Sequence, residues 1–158
     1  MKQLIQTNSN NWSALIARIA LALVVFPHGA QKLFGWFGGN GFQGTMGYMT
    51  TQGGLPYIIA LLVILIESIA ALMVLFGLLT RVAALGIFGL FTIIAVQFHA
   101  SHGFFMNWMG NQQGEGLEYF IVLTGLAVVL MITGGGKASA DAALLRQERN
   151  NRQPANAF

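Results

Sequence analysis

Cysteine is absent from this chain of 158 residues. Disulfides, thiolate nucleophiles, thiolate-held iron–sulfur clusters and CxxC redox pairs are thereby excluded. Any thiol or sulfur chemistry involving the protein must use a sulfur carried by a substrate or partner. Charge is nearly as scarce. Only 8% of the residues are Asp, Glu, Lys or Arg, against about 25% in soluble domains, too few to clothe a water-facing surface. The formal charge is +3, but the basic residues form no patch and carry no aromatic platform for bases, which argues against nucleic-acid binding. What fills the chain is apolar: 55% of residues are hydrophobic and 20 are glycine.

The apolar residues are concentrated in four runs, Ser13–Phe34, Leu55–Leu79, Val82–Phe98 and Leu117–Thr133. A helix rises about 1.5 Å per residue and the bilayer's hydrocarbon core is about 30 Å thick, so ~17–25 apolar residues suffice to cross it. The expected fold is all-α: an integral membrane four-helix bundle over residues 1–136, in which each helix touches at least two others, followed by a polar tail over 137–158. The segment Ile19–Phe26 is long enough for a signal h-region. However, His28 stands three residues before any cleavage after Ala30, where a small residue is required, so the first helix is expected to be retained.

The positive-inside rule sets the orientation. Lys2, Arg18, Arg81, Lys137, Arg146, Arg149 and Arg152 would lie on one side and only Lys32 on the other, seven to one. Both termini are therefore expected to be cytoplasmic, with the glycine-rich loops 35–54 and 100–116 outside. In the first loop Phe42, Met46 and Met49 share a helical face beside Tyr48, predicting a short interfacial helix. Pro56 opens the second span where a missing N–H is harmless. The second outer loop, His102–Gly116, reads as an irregular lid, with Trp36 and Trp108 in the interfacial belt. Pro27 is expected to kink the first span, and Gly77, Gly86, Gly89 and Gly125 to let helices approach. The run Gly134–Gly136 ends the fourth helix. Ser139 is placed to cap a short polar helix reaching Arg149, and the last residues read as disordered.

Glu67 is the sharpest chemical feature, a lone acid about twelve residues into the second span. A charge there costs at least ~2.5 kcal/mol and requires a partner, a proton or a cavity. Arg18, deep in the first helix, is the expected partner, either as a structural clamp or beside a proton-handling or substrate-facing carboxylate. Arg18, Leu21, Val25, His28, Gly29 and Lys32 fall on one third of the first helix, so its polar groups point into the bundle. At the outer rim Gln97, His99 and His102 end the third helix and Glu115 and Glu118 begin the fourth, with Glu118 as a cap. No metal site is expected; His99, His102 and Glu118 are a weak candidate. Together His28, Lys32, His99 and Glu118 above, and Arg18 and Glu67 below, outline a path that suits an amphipathic molecule such as a quinone head group.

The pattern Arg18…His28-Gly29-x-x-Lys32-Leu33, then Glu67, then Gly77-Leu78-Leu79-Thr80-Arg81, then His99, resembles the DoxX family of small four-helix membrane proteins, from Ala14 to about Asp141. The resemblance implies a bundle in the bacterial cytoplasmic (inner) membrane. Some members are associated with thiosulfate:quinone oxidoreductases and others with complexes handling oxidative or thiol stress. It also places Glu67, Arg81, Lys32 and His99 at the family's recurrent polar positions and Thr80 in its turn, without a settled catalytic role. Three readings stand at this point. One is a subunit of a membrane redox complex that anchors a partner and passes electrons toward quinone. The second is an assembly factor or membrane chaperone, and the third a small-molecule or proton conduit. A protein partner or a homo-oligomer is expected beside the lipid, with no covalent cofactor. Whether this chain itself catalyses is left open.

Overall fold

The computed structural model describes residues 2–152, and among them there is no β-strand. The terminal residues expected to be disordered lie outside the described range. A short α1 (Lys2–Ile5) precedes the first long helix, α2 (Trp12–Phe34). A small helix α3 (Gly41–Gly47), prolonged by a wider turn over Tyr48–Gln52, lies in the first loop. Then come α4 (Tyr57–Phe76) and α5 (Thr80–His102), α6 (Glu118–Thr133) and the polar α7 (Ala140–Arg152). Three helices, α2, α4 and α5, are long and apolar enough to cross a membrane, while α6 is apolar but has 16 residues. Sixteen residues rise about 24 Å, a little short of the hydrocarbon thickness.

These helices fall on the four apolar runs, and local chemistry sets their ends. Asn11 caps α2 by accepting the Ala14 N–H at 3.1 Å, and Gly35, at φ 75°, closes it. The helix continues through Pro27. Gly77, at φ 68°, closes α4, and only Leu78 and Leu79 separate it from the start of α5, so these two helices are antiparallel neighbours. The bundle is cyclic: α2 packs on α4 and α6, and α5 packs on α4 and α6. Leu21, Val25, Val74, Ile87, Leu123 and Leu130 fill its centre. Many large apolar side chains instead face outward, among them Leu23, Ile69, Ile93 and Ile132. A bundle with apolar flanks needs a lipid solvent.

Loops 35–56 and 103–117 lie at one end of the bundle, and the segments 6–11 and 133–139 at the other, where Thr7 Oγ1 donates to the Thr133 carbonyl at 3.2 Å and Lys137 N–H to Asn11 O at 3.0 Å. The face of α3 carrying Met46 packs with Phe42, Met49, Leu33, Ala60 and Ile64 in a small second core.

The helix-contact glycine is Gly29. A methyl group there would overlap the backbone of Glu67 and Ser68 on α4. The expected contact glycines divide: Gly89 and Gly125 face open space and Gly86 has only the Ile66 side chain at ordinary contact distance, whereas a methyl group on Gly77, in the turn, would overlap the Arg18 guanidinium and Ser139. Composition marks which residues are small but not which face they occupy, and only Gly29 lies on the stripe facing α4.

Candidate functional site

The two polar centres of the bundle lie far apart along its axis. Because α2 and α4 run antiparallel, the depth of Glu67 on α4 is matched by Gly29 on α2, not by Arg18. Eleven residues separate Arg18 from Gly29, about 16 Å of helix. The expected Arg18–Glu67 clamp is therefore wrong, and Arg18 leaves the proposed path.

Arg18 instead ties the terminal end together. Its guanidinium, 1% exposed, donates to the carbonyls of Leu75 (3.2 Å), Lys137 (2.8 Å) and Ala138 (3.2 Å). A planar group with five donors suits this task, which a point-like ammonium does not. Beside it the fully buried Asp141 carboxylate accepts from Leu79 N–H (2.8 Å), Thr80 N–H (3.0 Å) and Thr80 Oγ1 (2.8 Å). Ser139 Oγ caps α7 by accepting Ala142 N–H at 3.1 Å. Leu79 and Ala138 sit at φ 45° and 52°, each strained by about 1–3 kcal/mol and each held by this network. Arg81 donates to Gln6 O at 3.2 Å and Ile132 O at 2.9 Å. The start of the polar tail is thus built into the bundle, not separate from it.

Glu67 pairs with Lys32. The Lys32 ammonium donates to the Glu67 carboxylate, and the two side chains are 23% and 4% exposed. Lys32 stands in the last turn of α2, and its long stem carries the ammonium inward to Glu67. Glu67 lies in a π turn, Ile66–Ala70, where the helix widens by one residue. Such turns change the direction of the side chains they carry and recur at functional sites. A second π turn, Ala95–His99, carries His99.

Both π turns contribute to the wall of one cavity of about 530 Å³, in the usual range for small-molecule sites. Its polar lining is Lys32, Glu67, His28, His99, Glu115 and Tyr119; Phe91, Phe120, Ile94, Val24 and Met106 supply the apolar part. Val24 and His28 are exposed, so the cavity opens on the flank of α2. His99 Nδ1 donates to the Glu115 carbonyl at 2.8 Å, which leaves Nε2 as the acceptor of the neutral ring. Its ring lies against Phe120, centroids 4.4 Å apart.

The lid 103–117 is stapled to α6. Glu118 accepts from Met106 N–H at 3.1 Å and Trp108 Nε1 at 3.3 Å, and Glu115 from Asn107 N–H at 2.7 Å. Two expectations fail here. Glu115 lies in the loop, not on α6, and Glu118 holds the lid, making no side-chain cap to its own helix. His102 and Gln97 do not line the cavity, and Gln97 is exposed. Among the described residues no three His, Asp or Glu side chains gather as a metal site. His99 and His102 meet edge-on with centroids 6.2 Å apart, but Glu118 is occupied by the lid. Tyr119, Phe91 and Asp141 also take part, and the sequence does not mark them. Phe91 and Tyr119 lie in apolar runs without any distinguishing pattern, and Asp141 sits past the last span.

A helical integral membrane protein with a largely apolar cavity in its flank, an ion pair set in the cavity wall, is the class these features define. The DoxX family model matches residues 13–100, and the chain belongs to that family. The matched part holds Lys32, Glu67 and His99, while the lid and α6 follow it. The chain is 30% identical over 132 residues to inner membrane protein YphA of Escherichia coli, covering 80% of this chain and 86% of that protein. It is 32% identical over 127 residues to inner membrane protein YqjF of the same species, covering 80% and 88%. Over 140 residues it is 29% identical to a Bacillus subtilis protein named "Putative oxidoreductase CatD", covering 86% and 90%. No solved structure matches the chain.

Proposed function

We propose that this protein is the quinone-binding membrane component of an inner-membrane redox complex, with both termini cytoplasmic. The observation that carries the reading is the Lys32–Glu67 ion pair in the wall of a cavity otherwise lined largely by aromatic and aliphatic side chains. A quinone ring asks for that combination: flat apolar walls from Phe91 and Phe120, and hydrogen-bond donors for its carbonyl oxygens from Lys32 and Tyr119. Glu67 holds the Lys32 ammonium in the cavity wall. A cavity open on the flank of α2 would admit a ligand laterally from lipid.

Converting both carbonyls to hydroxyls takes two electrons and two protons. Lys32 is placed to donate one proton, with Tyr119 beside it. The chain has no cysteine, so the electrons would come from a partner oxidoreductase subunit. The name of the Bacillus subtilis relative and those of the Escherichia coli relatives agree with a redox role and an inner-membrane location. The seven-to-one Lys/Arg bias supports the orientation. The conduit reading is less well supported, because between Glu67 and the terminal knot the core is filled by Leu21, Ala71, Val74 and Ile87.

The test is titration of a short-chain quinone into the protein in nanodiscs by calorimetry. Saturable micromolar binding is expected, weakened about tenfold or more in Lys32→Met, since a hydrogen bond from a charged group contributes about 1.5–3 kcal/mol. Absence of saturable binding, or equal affinity in Lys32→Met, would refute the reading.

A further inference from the structure

A second cavity, of about 340 Å³, lies at the loop end between the last turn of α2 and α3. Its lining is richer in polar side chains than that of the first cavity: Gln31, Lys32, Asn40, Thr45 and Tyr48, beside Met49 and the backbone of Gly38 and Gly39. Lys32 thus lines both cavities and stands between them. On one side its head meets Glu67 and a mostly apolar chamber. On the other its stem borders a polar vestibule under the first loop. Thr45 turns inward beneath α3 at 7% exposure, while Tyr48 at the rim is 59% exposed.

We propose that the vestibule is the water and proton access route to the Lys32–Glu67 pair, so that protons reach the pair from the loop end of the bundle. This deepens the proposed function and rests on it for the purpose of the proton. The hydration itself is independent of any quinone. When Lys32 gives up a proton in the lateral cavity, the amine is reprotonated from water standing among Gln31, Asn40 and Thr45. No bond other than N–H forms or breaks at Lys32, and the proton's source is the aqueous phase at the loop face. The groups facing the pair across the lateral cavity are His28, His99, Glu115 and Tyr119, and they mark the competing route through the lid. Gly39 keeps the vestibule's wall close, because a methyl there would overlap the Gln31 backbone. A chamber of this size, with five polar side chains in its wall, has room and partners for several waters.

The absence of cysteine makes the test clean. Lys32→Cys in sealed vesicles is treated with a charged, membrane-impermeant methanethiosulfonate. Gln52→Cys on the exposed first loop identifies vesicles whose loop face is outward. Cys at position 32 is expected to react from the loop face, and the rate should fall at least tenfold when Asn40→Trp or Thr45→Trp fills the vestibule. Two filling variants are used because Thr45 is buried and its replacement can disturb folding. Ile94→Trp, which fills the lateral cavity, should leave the rate within about twofold. An unreactive thiol at 32 overturns the proposal, as does a rate unchanged by both vestibule variants. Because no quinone is present, these outcomes are separate from failure of quinone binding.

Discussion

Lys32→Met will destabilise the protein by about 3 kcal/mol, whereas Glu67→Gln will cost only about 1, although each removes the same ion pair. Removing one member of a buried pair leaves the other uncompensated, at a cost of about 3–5 kcal/mol. The cost depends on which charge is stranded. Glu67, on a short side chain in the middle of α4 and 4% exposed, cannot swing its carboxylate out to the aqueous end of the bundle. Lys32 is 23% exposed in the last turn of α2, and its long stem can carry the ammonium toward the loop end. The double variant Lys32→Met/Glu67→Gln should recover most of the loss, since replacing both members of a buried pair is often neutral. Midpoints of unfolding in mixed micelles, compared across the three variants, check this. A Lys32→Met variant no less stable than Glu67→Gln would mean that the pair does not hold Glu67.

Arg18→Met has a comparable effect at the opposite end. It strands the carbonyls of Leu75, Lys137 and Ala138, each bonded only through the guanidinium in this network, at about 1–3 kcal/mol per group if they stay dry. Lys137 and Ala138 belong to the segment that delivers α7, so undocking of that segment relieves the cost. Trypsin cleavage at Arg146 and Arg149, on the exposed part of α7, should accelerate at least tenfold. Arg18→Lys should rescue little, because an ammonium lacks the planar fork. Unchanged cleavage in Arg18→Met would show that α7 is held by other contacts.

The helices were legible because hydropathy reports the solvent a segment requires. The short apolar face of α3 was legible from the spacing of Phe42, Met46 and Met49. Pairing was not legible, because it depends on the axial register of two antiparallel helices joined by a loop of some twenty residues. Sequence order makes Arg18 the obvious countercharge for Glu67. The register places it about 16 Å away and leaves Lys32, expected at the outer end of the polar path, to reach in. The π turn under Glu67 was equally hidden, since no residue type specifies an extra residue in a helical turn. Asp141 follows the last apolar run in a polar tail, and nothing around it in the sequence marks it as buried. Its role depends on two N–H groups left unsatisfied where α4 turns into α5.

Native mass spectrometry of the protein released in mild detergent from its own membrane tests the central claim most directly, using wild type and Phe91→Trp, which narrows the cavity without touching the ion pair. The wild type should carry a bound molecule with the mass of the resident membrane quinone, and Phe91→Trp should have lost it. A wild-type protein that carries no such molecule, or a Phe91→Trp variant that retains it, would contradict a quinone site in this cavity.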